Sequence, residues 1–294
     1  MKKILLTLCM IAALLCGCNR DVPSVNIAAT TLPVYEFTAR ICAGTDLTVT
    51  RLVTESVSCL HDYSLQVDQM RAIEQADVVI LSGAGLEEFL EDALSGADQV
   101  IDCSDGIELI CSGEEHDHGH DHHEEGHHHE NDPHIWLSPV NASSMAQTIC
   151  TELSKIYPQY ADTFSSNYLT LQADLADLHA YGQNQLMSLS CRDLITFHDG
   201  FAYLAQEYDL HILEAVEEES GSEASAAELI ELIEITEHHH LPAIFTEVHG
   251  SVSAADIIHG ETGAEIFTLD MAMAGDSYFD AMYHNIDTLK EALG

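Results

Sequence analysis

Positive charge is what this chain most lacks: 9 Lys and Arg stand against 50 Asp and Glu in 294 residues, a formal net charge of −41. Such a surface repels the phosphate backbone, which excludes a nucleic-acid partner. It attracts cations and raises their local concentration, although acids spread along the whole chain serve mainly solubility. No CxxC pair occurs, so the usual thiolate zinc motif is missing. A zinc hydrolase would also need an open coordination site and a general base near a bound water, for which Glu247 is the one obvious candidate. Beyond the first fifteen residues there is no second long apolar run, so nothing later in the chain is expected to span a bilayer.

Those first residues carry their own signal. Lys2 and Lys3 precede an apolar stretch over 4–15, which has the length of a secretory h-region. Leu15-Cys16-Gly17-Cys18 then resembles the lipobox of bacterial lipoproteins. The resemblance implies cleavage before Cys18 and a lipid on its sulfur, with 1–17 a signal peptide and 18–24 a tether. The chain is therefore expected outside the cytoplasm, anchored to a bacterial membrane by lipid. Six cysteines remain after processing: Cys42, Cys59, Cys103, Cys111, Cys150 and Cys191. An even count outside the cytosol predicts disulfides, with Cys103 and Cys111 the easiest local pair and the full connectivity open.

From residue 25 onward, short apolar or β-branched runs alternate with helical periodicity. Strands are predicted at 25–29, 47–53, 78–82 and 99–102, with helices at 33–42, 66–75 and 86–94 between them. A second series follows, with strands at 193–197, 211–216, 243–248 and 265–270 and helices at 200–208, 224–238, 251–260 and 277–293. This predicts an α/β fold of two four-stranded parallel lobes, 25–157 and 191–294. Between them, Phe164, Tyr168, Leu171, Leu175, Leu178, Tyr181 and Leu186 recur at helical spacing. One linking helix over 158–190 follows, ~45 Å long at ~1.5 Å per residue. Pro139 opens a further helix to 157. The stretch 104–133 breaks the pattern with Gly, Pro and a His/Asp/Glu run, and is predicted to be a loop.

Three widely separated histidines bear the chemistry: His61 in CLHDYS, His134 in DPHIWLSP and His198 in ITFHDGF. Strand-to-helix connections of this kind converge at the carboxyl ends of strands in an open α/β sheet, where ligands bind. Neutral imidazole suits zinc, and three protein nitrogens plus one further ligand complete its tetrahedron. Taken singly, each position has a plainer alternative: His134 a loop histidine satisfied by backbone, His198 a capping or core histidine, His61 an ordinary loop residue. Asp132 is in place to accept the second ring N–H of His134. Asp270 and Glu247 end the last two predicted strands; either fits a fourth ligand, a hydrogen-bond partner of a ligand, or a helix N-cap. The run His116, His118, His120, His122, His123, His127, His128 and His129 offers many weak transition-metal sites in a loop over 114–130. His238, His239 and His240 close a helix, where cationic side chains suit the dipole.

Taken together, these blocks resemble one family. His61 and Tyr63 ahead of AIEQADVVILSGAGLE, the DPHIWLSP block, HDGFAYLAQEYDL, IFTEV, the Leu269-Asp270 ending and DSYFDAMYHNIDTLKEAL are similar to the cluster 9 (ZnuA/TroA-type) substrate-binding proteins of bacterial ABC importers. The resemblance covers 25–294. It implies two α/β lobes joined by a rigid helix, with one metal ion held between them by His61, His134 and His198 and with Asp270 in the fourth position. It implies no enzymatic activity, and partners in an importer permease and its ATPase. Manganese-type relatives carry a glutamate at the position of His198, so the imidazole here points to Zn2+ as cargo, in keeping with the preference of oxygen donors for manganese. A manganese importer protein, an extracellular metal buffer and an adhesin are the alternatives. The turn after His61 reads Tyr63-Ser64-Leu65-Gln66-Val67, without the prolines and acid that relatives carry there.

Overall fold

The computed structural model describes residues 26–55, 60, 63–111, 131–216, 224–248 and 250–294. The expected signal peptide, the Cys18 tether, His61 and the histidine run of 114–130 lie outside the described residues. What is described is an α/β fold with two all-parallel four-stranded sheets. The first holds β1 (Ile27–Ala29), β2 (Val49–Arg51), β3 (Val78–Leu81) and β4 (Val100–Asp102) in the order β2-β1-β3-β4. The second holds β5 (Asp193–Thr196), β6 (His211–Ala215), β7 (Ala243–Glu247) and β8 (Glu265–Leu269) in the equivalent order β6-β5-β7-β8. The coarse duplication expected from the sequence is thus a repeated topology.

In each sheet the chain leaves the first strand toward one edge and later returns to its other side. That makes a switch point between β1 and β3, and another between β5 and β7, where parallel sheets open a crevice at their carboxyl ends. The first crevice is filled from within. Glu87, only 5% exposed, accepts hydrogen bonds from Thr30 Oγ1 (2.6 Å), Ser82 N (2.7 Å) and Gly83 N (3.0 Å). Burial pushes its carboxyl up to about 7, against the pull of those hydrogen bonds, and Asp102 adds to the rise.

The helices follow the apolar spacing. They are α1 (Leu32–Ile41), α2 (Val67–Gln75), α3 (Glu91–Leu94), α4 (Pro139–Ile156), α5 (Ala161–Leu186), α6 (Ala202–Glu207), α7 (Ala226–His239), α8 (Ser253–Thr262) and α9 (Tyr278–Leu293). Pro33 and Pro139 stand in first turns, where a missing N–H costs nothing. The linking segment opens with a 3-10 turn, Pro158–Tyr160, before the 26-residue α5, ~39 Å long. Phe164, Leu171, Leu175, Leu178 and Leu186 line its buried face, which packs on α4 and reaches both α1 and α9. Gly182 allows the closest approach, because a Cβ there would fall 2.4 Å from the Tyr208 ring.

Two expectations need correction. The helix expected over 86–94 is a 3-10 turn, Glu88–Leu90, followed by the single turn of α3. Gly83, Ala84 and Gly85 all have positive φ, and Glu87 turns inward to accept from Ser82 N and Gly83 N rather than continuing a helix. The expected disulfides are absent among the described residues, since Cys42, Cys103, Cys111, Cys150 and Cys191 are all free. Cys103 is fully buried after β4, whereas Cys111 is exposed. Cys42 is packed in the core, and burial pushes its thiol up to about 12.

The two sheets share a continuous core rather than a simple hinge. Phe37 of α1 meets Tyr278 of α9 edge to face at 5.0 Å. Leu32 N donates to Met273 O at 3.2 Å, and Trp136 Nε1 donates to Met271 O at 2.7 Å. No helix among the described residues is long and apolar enough to cross a membrane.

Candidate metal centre

His134 sits on a rigid base. Pro133 fixes the approach, and the 3-10 turn Ile135–Leu137 that follows is completely buried. Trp136 is anchored twice, through Nε1 to Met271 O and through its carbonyl, which accepts from Tyr278 Oη at 2.8 Å. Its ring meets the His134 imidazole edge to face at 5.4 Å. Asp132 then orients the imidazole: its Oδ1 lies 2.8 Å from His134 N and 2.8 Å from His134 Nδ1. A proton held at Nδ1 by that carboxylate leaves the lone pair on Nε2, the usual arrangement behind a ligating histidine. Asp132 Oδ2 is buried with no hydrogen-bond partner; a cation bound at His134 would offset that unmatched charge.

His198 follows β5 at the second switch point. Phe197 N still pairs with Phe245 O at 2.9 Å, so the strand direction holds up to the histidine. Its ring meets that of His134 at a centroid distance of 5.3 Å, with the planes at 82°. Glu247, the last residue of β7, puts Oε2 3.5 Å from His198 Nδ1. Burial pushes the Glu247 carboxyl up to about 7; the facing His134 lowers it and the negative Asp270 raises it. Each imidazole therefore has its own buried carboxylate on the Nδ1 side.

Asp270 follows β8 and is held by its backbone. Its N–H donates to Asn285 Oδ1 and its C=O accepts from Asn285 Nδ2, both at 2.7 Å. Its Oδ1 accepts from Ala272 N at 2.7 Å, stabilising a turn in which Ala272 has φ +52°. Asp270 is close enough to Glu247 to act on its titration. His61 lies outside the described residues, and the chain is tethered just beyond it. Tyr63 Oη donates to Glu55 Oε2 at 2.6 Å, and Gln66 and Gln69 form a capping box at the start of α2.

The structure thus brings together His134, His198, Glu247 and, through its charge, Asp270. Among the described residues no three His, Cys, Asp or Glu side chains already converge as a metal nest. His238 and His239 are elsewhere, in the last turn of α7. His239 and His211 flank Asp193 at 3.3 and 3.0 Å, and Asp193 opens β5 at the end opposite His198. Two residues with roles here carried little sequence signal. Gly200 leaves room between the imidazoles: a Cβ there would lie 2.8 Å from His198 Cδ2 and 2.9 Å from His134 Nδ1. Asn285 is fully buried, and the only hint was an amide on the apolar face of the last helix.

Comparison with known proteins gives a consistent result. A family model described as ZnuA, the periplasmic component A of a zinc-uptake complex, matches residues 27–292. The zinc-binding lipoprotein AdcA of Streptococcus pneumoniae is 32% identical over 99% of this chain. This chain spans 61% of the length of that relative. The high-affinity zinc uptake system protein ZnuA of Bacillus subtilis is 29% identical over 92% of this chain and 88% of its own. Among solved structures, the Zn(II)-bound ZnuA-like domain of Streptococcus pneumoniae AdcA superposes with a TM-score of 0.77 at 26% identity, covering 92% of this chain and 99% of that one.

Proposed function

We propose a cargo role for this chain, which belongs to the ZnuA family of zinc-uptake complex components: it binds one Zn2+ ion outside the cytoplasm and delivers it to an ABC importer. The observation that carries the reading is the edge-to-face meeting of His134 and His198, each with a buried carboxylate behind its Nδ1. Zinc would bind through Nε2 of His134, through His198 and through His61, with Asp270 as the fourth donor. Glu247 stands behind His198 and orients it rather than binding the ion. Four protein donors leave no open position for an activated water, so the reading is carriage and not catalysis. Imidazole donors favour zinc over manganese.

In this reading 25–157 and 191–294 are the two jaws and 158–190 is the rigid bar between them. The lipid on Cys18 keeps the protein at the membrane, beside the importer's permease and its ATPase. The histidines of 114–130 hold further ions weakly near the jaws. The test is calorimetric titration of the metal-stripped protein with Zn2+, alone and under excess Mn2+. One tight zinc equivalent that persists against Mn2+ is expected. Equal occupancy by Mn2+, or no tight equivalent at all, overturns the proposal.

A further inference from the structure

Residues 110–111 and 131–132, on either side of 112–130, lie side by side. Cys111 and Asn131 form an isolated antiparallel bridge, and Asp132 N donates to Ile110 O at 2.8 Å. The complementary groups, Ile110 N–H and Asp132 C=O, both go to one side chain. Tyr203 Oη accepts from Ile110 N at 3.0 Å and donates to Asp132 O at 3.0 Å. Tyr203 is 2% exposed and belongs to α6, the helix that begins just after His198.

Asp132 is also the residue whose Oδ1 faces both His134 N and His134 Nδ1. A continuous connection therefore runs from the His134 imidazole through Asp132 to the Tyr203 hydroxyl, and along α6 back to His198. The same two imidazoles meet at 5.3 Å. Packing alone does not require the hydroxyl, because a phenyl ring would fill the same volume. What the hydroxyl adds is a fixed position for the Asp132 backbone, measured from the sheet that carries His198.

We propose that Tyr203 is a positioning residue for zinc: its hydroxyl holds Asp132, and through Asp132 the His134 ring, in register with His198. The inference rests on the zinc reading above and deepens it. It assigns a metal-tuning role to a side chain that never touches the ion, comparable to the carboxylates that orient ligating histidines.

The test is Tyr203→Phe in the full chain, with three readouts: the thermal midpoint of the metal-free protein, zinc affinity against a competing chelator, and the visible spectrum of the Co2+-loaded protein. A role confined to packing would leave the Co2+ bands unchanged. The proposal expects shifted bands and an affinity lower by roughly 10–100-fold, in a protein whose metal-free midpoint moves little. Wild-type affinity with an unchanged Co2+ spectrum overturns it. Should Tyr203→Phe fail to fold, 4-fluorophenylalanine placed at 203 fills the volume of the hydroxyl but cannot donate to Asp132 O. A lower zinc affinity with shifted Co2+ bands is then expected, and no change overturns the proposal. A wild-type chain without a tight zinc site overturns the functional reading and this inference with it. A tight site indifferent to position 203 overturns the inference alone.

Discussion

His134 and His198 approach each other across the two lobes, ring edge to ring face, with centroids 5.3 Å apart. Nothing in local structure requires the contact, since one histidine leads into a 3-10 turn and the other lies just past the end of a strand. If the pair forms half of a zinc shell, His134→Ala or His198→Ala removes an inner-sphere bond. Changes one layer further out cost 10–100-fold in metal affinity, so each substitution should cost more than ~100-fold. Chelator competition on the two variants measures it, and unchanged affinity in either removes that residue from the shell.

The carboxylates should rank below the imidazoles. Asp270→Asn keeps an oxygen for the Ala272 N–H and lets water enter as the fourth ligand. Its loss of affinity should be smaller than that of His198→Ala. Glu247→Gln should give an intermediate loss, roughly 10–100-fold, through the orientation of His198. The same competition experiment orders the four variants. A Glu247 effect exceeding that of His198 would make Glu247 the ligand.

Much of this site was legible in sequence, for physical reasons that also mark where legibility ends. Val78–Leu81 and Ala243–Glu247 are short apolar runs between turn residues, so their strand state shows in local pattern. His134 and His198 stood out because each follows a recognisable block and sits where an α/β fold gathers its ligands. Asn285, Glu87 and Tyr203 did not. Each acts on backbone groups far away in the chain, as Tyr203 does on Ile110 and Asp132, and no local periodicity encodes such a partner. Among the described residues, which leave out Cys59, the disulfide expectation failed for the same reason: an even cysteine count says nothing of distance, and Cys103 is buried while Cys111 is exposed.

Glu87 makes stability depend on pH in a stated direction. Its folded value of about 7 lies above the ordinary glutamate value of 4.5. The fold thus binds a proton more tightly than the unfolded chain does, and this contribution is complete below about 4.5 and is lost as pH rises through about 7. The shift corresponds to at most on the order of 3 kcal/mol. Glu87→Gln cannot ionise, and it presents an amide N–H toward the Ser82 and Gly83 donors. It should be less stable than wild type at pH 5, and the gap should narrow by pH 8. Denaturant titrations of the metal-free proteins at the two pH values check this; a gap that widens with pH contradicts it.

Deleting 114–130 should remove the weak zinc equivalents and leave the tight one. A histidine run interrupted by acids offers many competing donor sets rather than one, and its Coulombic attraction for zinc is screened by salt. Calorimetry on the deletion variant is expected to show a single transition of wild-type affinity. Loss of the tight transition in a folded variant would make the segment part of the main site.

The most direct measurement is X-ray absorption at the zinc edge on the deletion variant loaded with one equivalent of Zn2+. It reads the first shell without interference from the histidine run. The account predicts three imidazole nitrogens and one oxygen at ~2.0–2.2 Å, with the outer-shell scattering of histidine rings. A sulfur shell at ~2.3 Å, or a shell of oxygen alone, would contradict it.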